Sequence, residues 1–195
     1  AGASAGSYPS SCLSAPPAGG WTDEYKTTKL VLRKIPAGAF RMGSPEGELG
    51  RNDANETRHK VTLTRDFYAG VFEVTQKQWS LVMGKDAWPS YFSNPDCRDT
   101  RPVESVGYGD IRGTDLGLKW PTSNAVDADS FLGRLREKTG VDFDLPTDAQ
   151  WEYACRAGTT SALSSGENLT DAVTCPNMDA LGRYKGNRGE DNSKN

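Results

Sequence analysis

The sequence holds a single histidine, His59, and none of its four cysteines forms a Cys-x-x-Cys pair. A Cys/His zinc site at the usual ligand spacings is thereby excluded, and no iron site is read into His59. No stretch approaches ~18 consecutive apolar residues, so no transmembrane helix is expected. An excess of basic charge is also missing. Lys plus Arg is 23 and Asp plus Glu is 26, a net charge of −3. That balance gives no general electrostatic reason to bind nucleic acid or an anionic membrane. There is no phosphate-cradling glycine-rich signature and no Gly-x-Ser-x-Gly, so nothing supports a kinase, nucleotide-binding or hydrolase reading.

What is present suits one α+β domain of ordinary size. The 195 residues are 35% hydrophobic, enough to bury a core, and carry 21 glycines and 11 prolines, which point to a loop-rich chain. The cysteines are Cys12, Cys97, Cys155 and Cys175. An even count suits two disulfides with three connectivities, and free buried thiols are the alternative. Residues 1–20 are small residues, Ser and Pro, without the basic start and apolar core of a signal peptide. Residues 1–27 are expected to be a flexible arm, with a domain over 28–195. The polar composition, this arm and the cysteine count favour a secreted, periplasmic or cell-surface location.

Alternation predicts a strand over Lys29–Ile35, a return strand over Ala39–Met42 closing a hairpin, and a further strand over His59–Thr64. Residues 67–72 continue a β-type aromatic run. Thr75 and Gln78 spell a capping box, opening a helix that Gly84 ends. Residues 85–100 read as loop, 101–106 as extended, and 107–124 as an insertion. Ala128, Phe131, Leu132 and Leu135 share a helical face, with Ser123 or Asn124 as cap and Gly140 as stop. Val141–Leu145 alternates like a half-buried strand. Thr147 and Gln150 form a second capping box, and the helix behind it offers Trp151 and Tyr153 for burial. From Gly158 onward no core segment is evident.

The aromatics Trp88, Tyr91, Phe92, Tyr108 and Trp120 cluster in loops; where exposed they would suit a protein- or carbohydrate-binding surface, and otherwise they pin long loops to the core. Asn55-Glu-Thr57 and Asn168-Leu-Thr170 fit the glycosylation pattern, where chance matches are common.

Four segments together carry a family likeness. They are Ile35-Pro-Ala-Gly-Ala-Phe-Arg-Met-Gly-Ser44, then Glu56-Thr-Arg-His-Lys-Val-Thr-Leu63 running into Phe72-Glu-Val-Thr-Gln-Lys-Gln-Trp79, then Arg101-Pro-Val-Glu-Ser-Val106, and Leu145-Pro-Thr-Asp-Ala-Gln-Trp-Glu-Tyr-Ala-Cys-Arg-Ala-Gly158. In order and spacing they resemble the N-terminal part of the formylglycine-generating enzyme, or sulfatase-modifying factor, family. The resemblance covers roughly residues 30–195. It implies an elaborated, loop-rich C-type-lectin-like α+β fold that is incomplete at the C-terminus of this chain.

Members of that family oxidise a sulfatase cysteine to formylglycine, using molecular oxygen and copper(I) held by two thiolates. Soft thiolates suit copper(I). The resemblance places that cysteine pair outside this chain, so no catalytic residue is assigned. Copper is expected only with a C-terminal half that carries the pair. Cys155 matches a position that in some members is a structural disulfide. Glu152 is expected to pair with Arg156 at i+4. The family also holds calcium with hard oxygen donors. The matching donors are the Asn177 side chain, the Met178 carbonyl, the Asp191 carboxylate and the Ser193 carbonyl; a solvated polar loop is the alternative. The favoured expectation is a non-catalytic domain with a binding or surface-structural role, completed by a missing C-terminal half or another chain. The alternative is a fragment of the copper-dependent oxidase.

Overall fold

The described residues are 10–84, 86–114 and 120–187 of a computed structural model, and among them stand two two-stranded ribbons, six α-helices and a 3-10 turn over Arg98–Thr100. Strands and helices together bear out the α+β class. The ribbons pair β1 (Leu32–Ile35) with β4 (Phe67–Gly70), and β2 (Gly38–Met42) with β3 (His59–Leu63). The expected hairpin between the first two strands does not form. β2 instead runs antiparallel to β3, Gly38 facing Leu63 and Met42 facing His59. Between β1 and β2, Pro36 has no N–H to donate, and the Ala37 N–H goes to Asp66 Oδ1 at 2.8 Å. Those groups therefore make no hairpin bonds.

The chain divides into two compact units. The first holds the residues up to Leu32 and Gly70–Leu145. Its helices are α1 (Glu24–Thr27), α2 (Gln76–Met83), α3 (Tyr108–Arg112) and α4 (Phe131–Thr139). Thr75 caps α2 as its sequence predicts. Its Oγ1 accepts the Gln78 N–H, and Gln78 Oε1 accepts the Thr75 N–H. The same two residues tether the preceding segment, since Thr75 Oγ1 donates to Lys26 O and Gln78 Nε2 donates to Lys29 O, both at 2.6 Å. Trp79, Phe131, Leu132 and Leu135 form the buried core, with the Trp79 and Phe131 rings stacked at 4.6 Å. Trp21 adds edge-to-face contacts with Tyr25 and Phe72.

Three expectations change in this unit. Helix α4 is capped by Ser130, whose Oγ accepts the Gly133 N–H, and not by Ser123 or Asn124. Ala128 therefore precedes the helix. Residues 107–124 contain α3, short but closed by Gly113. Val141–Leu145 forms no strand, because its backbone bonds to side chains: Arg136 Nε donates to Phe143 O, and the Leu145 N–H to Asp144 Oδ1. Gly140 stops α4 in the left-handed region, as expected.

Of the described residues, the second unit holds Arg33–Ala69 and 146–187. Its helices are α5 (Asp148–Arg156) and α6 (Pro176–Asp179). The Thr147–Gln150 capping box opens α5. Tyr153 reaches from α5 onto the ribbon, its ring 5.2 Å from that of Phe40. A side chain at Gly38 would run into the Tyr153 hydroxyl, so a larger residue there forces that ring to shift. Glu152 is structural. Its Oε1 accepts from the Gly43 N–H and from Arg156 Nε, and Arg156 Nη2 returns to Gly43 O. Trp151, expected to supply buried area, is instead 61% exposed. Beyond Gly158 the unit does bury side chains, Leu163 and Cys175. Among the described residues no helix is long and apolar enough to cross a membrane.

Candidate functional site

Of the residues assigned to calcium, Asn177 and Met178 fall in α6. Pro176 opens that helix, and Cys175 precedes it, buried. Asn177 Nδ2 donates to Asn168 O at 2.9 Å, and the same side chain carries an amide oxygen. A hard oxygen donor of that kind fits calcium. The Met178 carbonyl fits less well, because it already accepts the N–H of Leu181 at 3.0 Å and of Gly182 at 3.2 Å. Asp191 and Ser193 lie outside the described residues. Among the described residues, no group of three or more His, Cys, Asp or Glu could hold a metal.

The four cysteines are free thiols. Cys12 and Cys155 are exposed, and Cys97 is half-buried with its Sγ 3.9 Å from Asn94 O. Cys175 sits in a polar node that sequence reasoning missed. Its N–H donates to the Tyr184 hydroxyl, whose single proton is within reach of two acceptors, the Cys175 carbonyl at 3.2 Å and Asp179 Oδ1 at 3.0 Å. The backbone N–H of Thr170 holds the Cys175 thiol below its ordinary value, against burial, which raises it. The Tyr184 phenol moves the other way. The Cys175 backbone bond lowers it, but burial and Asp179 together push it up. Nearby, the Thr174 and Val173 N–H groups hold the Asp171 carboxyl below the usual range. These bonds span nine residues or fewer, yet nothing in the loop's composition marks which polar groups meet.

The first unit carries its own node. Arg112 on α3 is wholly buried. It grips Asp144 with two bonds, Nε to Oδ1 at 2.8 Å and Nη2 to Oδ2 at 3.0 Å, and donates from Nη1 to the Tyr108 hydroxyl. Its guanidinium also lies 5.7 Å from the Tyr108 ring centre and 5.4 Å from that of Trp120. Of the predicted aromatic surface, then, Tyr108 and Trp120 flank this guanidinium, Trp88 lies under Arg98 at 3.8 Å, and Tyr91 and Phe92 stand exposed in edge-to-face contact.

A depression of about 250 Å³ lies in the same unit, lined by Trp79, Met83, Asp110, Asp127 and Asp129. Its carboxylates are already engaged. Asp110 accepts the Gly107 N–H, Asp127 accepts the Thr114 N–H, and Asp129 pairs with Arg134. These nodes hold loops in place, and none assembles a nucleophile with a base.

Comparison with known proteins narrows the reading. Residues 22–194 match the family model of the sulfatase-modifying factor enzyme 1-like domain. The chain is 35% identical over 162 residues to the chaperone protein LppX of Paenibacillus barcinonensis, covering 74% of this chain and 51% of that protein. It is 23% identical over 159 residues to the formylglycine-generating enzyme of Mus musculus, covering 70% of this chain and 42% of the enzyme. The chain thus spans about half the length of these curated relatives. Among solved structures it resembles that of PvdO from Pseudomonas aeruginosa, at 24% identity and a TM-score of 0.42, covering 65% of this chain and 47% of PvdO.

Proposed function

The chain belongs to the sulfatase-modifying factor enzyme 1-like family, and from that membership we propose that it is a non-catalytic binding domain acting on another protein outside the cytoplasm. The observation that carries this reading is the 35% identity to a protein named as a chaperone. Fold does not fix function, and one scaffold can serve catalysis in some members and binding in others. The exposed aromatic pair Tyr91 and Phe92 suits a protein surface as partner, with a carbohydrate as the other ligand class.

The finer architecture in this reading is the loop-rich C-type-lectin-like form of the family. Residues 1–27 are its lead-in, tethered at Trp21 and Tyr25, and a C-terminal half or another chain completes the domain. Calcium belongs to the same reading, held by Asn177, Met178, Asp191 and Ser193. The Met178 carbonyl would have to release the N–H groups of Leu181 and Gly182. Secretion, the periplasm or the cell surface is its proposed place.

A second reading follows from the mouse relative: this is part of a formylglycine-generating oxidase. Copper would enter with the missing thiolates. One experiment separates the two. The protein as purified from its source, with whatever sequence flanks these 195 residues, is incubated with copper(I), oxygen and a Cys-x-Pro-x-Arg peptide, and in parallel is cross-linked in intact source cells. We expect unchanged peptide by mass spectrometry and a discrete cross-linked protein. Formylglycine in the peptide would establish the oxidase and overturn the binding reading.

A further inference from the structure

The β2–β3 ribbon has two unlike faces. Phe40, Met42, Val61 and Leu63 make one of them and are half-buried, on the side where Tyr153 of α5 meets Phe40. Ala39, Arg41, Lys60 and Thr62 make the other, and all four are exposed. The register sets Arg41 directly across from Lys60, and Ala39 across from Thr62. Arg58, also exposed, leads into β3.

Like charges directly opposite each other destabilise an antiparallel pair. A nearby carboxylate would relieve the repulsion, but the second unit spends its carboxylates elsewhere. Among the described residues its ion pairs are Lys34 with Asp66, Arg51 with Asp53, and Arg156 with Glu152, and none takes in Arg41, Arg58 or Lys60. The excess of positive charge is local, since the whole chain carries −3. Threonine or glutamine at positions 41 and 60 would keep the face in water without the repulsion. An anion laid on the face would remove it.

Three cations suit a short anionic segment better than a nucleic acid, which is held by roughly 6–10 phosphate contacts in a typical site. In an extended peptide the side chains of one face recur every two residues, about 7 Å apart. Lys60 and Arg58 are separated by the same two-residue step. Ala39 and Thr62 continue the face with short side chains, which leave room for a backbone to lie along it. Resting on the reading of this protein as one that binds another protein, we propose that the outer face of the β2–β3 ribbon, through Arg41, Arg58 and Lys60, seats an extended acidic segment of that partner, with carboxylates at alternate positions.

Chemical-shift mapping tests this. The isotope-labelled protein, with whatever sequence flanks these 195 residues, is titrated with a peptide of alternating Glu and Ser, and separately with its Gln counterpart. The amides of Arg41, Arg58 and Lys60 should shift with the Glu peptide, stay in place with the Gln peptide, and shift less at high salt. Lys60→Glu should weaken the Glu peptide about tenfold. It should also raise the melting temperature, because an opposite-charge pair with Arg41 replaces a like-charge one. A lower melting temperature would make Lys60 a structural residue and overturn the proposal. Arg41→Gln is the second variant, and it should weaken the peptide while leaving the melting temperature no lower. Shifts confined to other residues, or equal ribbon shifts with a sulfated oligosaccharide, would also overturn the proposal, the latter by assigning the face to another polyanion. Cross-linking in source cells separates this inference from the reading beneath it. If the discrete cross-linked protein forms and the ribbon amides do not respond to the Glu peptide, the partner docks elsewhere, so the binding reading stands and this inference falls. If no cross-linked protein forms, both fall.

Discussion

Asp144 accepts from two guanidinium groups at once. Arg112 takes both of its oxygens, and Arg136 Nη2 adds a bond to Oδ2 at 2.9 Å. Burial works against the charge on Arg112, but the bonds from Asp144 and Tyr108 more than offset it and hold its pKa above the ordinary value. Removing the carboxylate charge would leave a wholly buried cation facing a second one. Asp144→Asn should therefore destabilise the chain by about 3–5 kcal/mol, read as a lower urea midpoint. Replacing Arg112 and Asp144 together by Met and Leu should cost less, because no buried charge is then left unpaired. Asp171 gives a prediction of another kind. Its folded pKa is depressed by the N–H groups of Thr174 and Val173. Its contribution is therefore complete above the ordinary aspartate pKa of ~3.9 and is lost as pH falls through the lowered folded value. Asp171→Asn should remove that part of the acid dependence, making the urea midpoint less sensitive to pH below about 4.

The two capping boxes make a comparison at the level of the element. Thr147 and Gln150 close only on each other at the head of α5, whereas Thr75 also donates to Lys26 O. Thr147→Ala should cost about 1 kcal/mol, as an N-cap does. Thr75→Ala should cost measurably more, by roughly a further 1 kcal/mol, because it also frees the carbonyl of Lys26. Urea titration of both variants checks the order. Both caps were legible in the sequence because a capping box is complete within four residues. The Gly140 stop was legible for the same reason. The partner of β2 was not, since β3 lies across a long polar loop and alternation names a strand without naming its neighbour. Val141–Leu145 alternates like a strand, but Arg136 and Asp144 occupy its backbone groups. α3 was missed because a five-residue helix in a Gly- and Asp-rich stretch has too little periodicity to register. Arg112 could not be singled out either, because its carboxylate lies 32 residues away.

Across the whole molecule, burial is uneven between the units. The first has four apolar side chains packed as one cluster, including the stacked Trp79 and Phe131 rings. The second buries Leu163 and Cys175 and leaves its ribbon half-covered. Local opening follows the density of buried apolar contacts. Backbone amides of α2 and α4 should therefore exchange with deuterium more slowly than those of β2, β3 and α6. Calcium makes the same measurement discriminating. If Asn177, Met178, Asp191 and Ser193 bind it, the ion must first draw the Met178 carbonyl away from the N–H groups of Leu181 and Gly182. Those two amides should then lose protection as calcium is added, while the rest of α6 gains it. A uniform gain, or no change between calcium and chelator on a protein carrying its C-terminal half, would show that Met178 stays committed to closing the helix. The polar loop would then be held through the bonds that Tyr184, Asp179 and Asn187 already make.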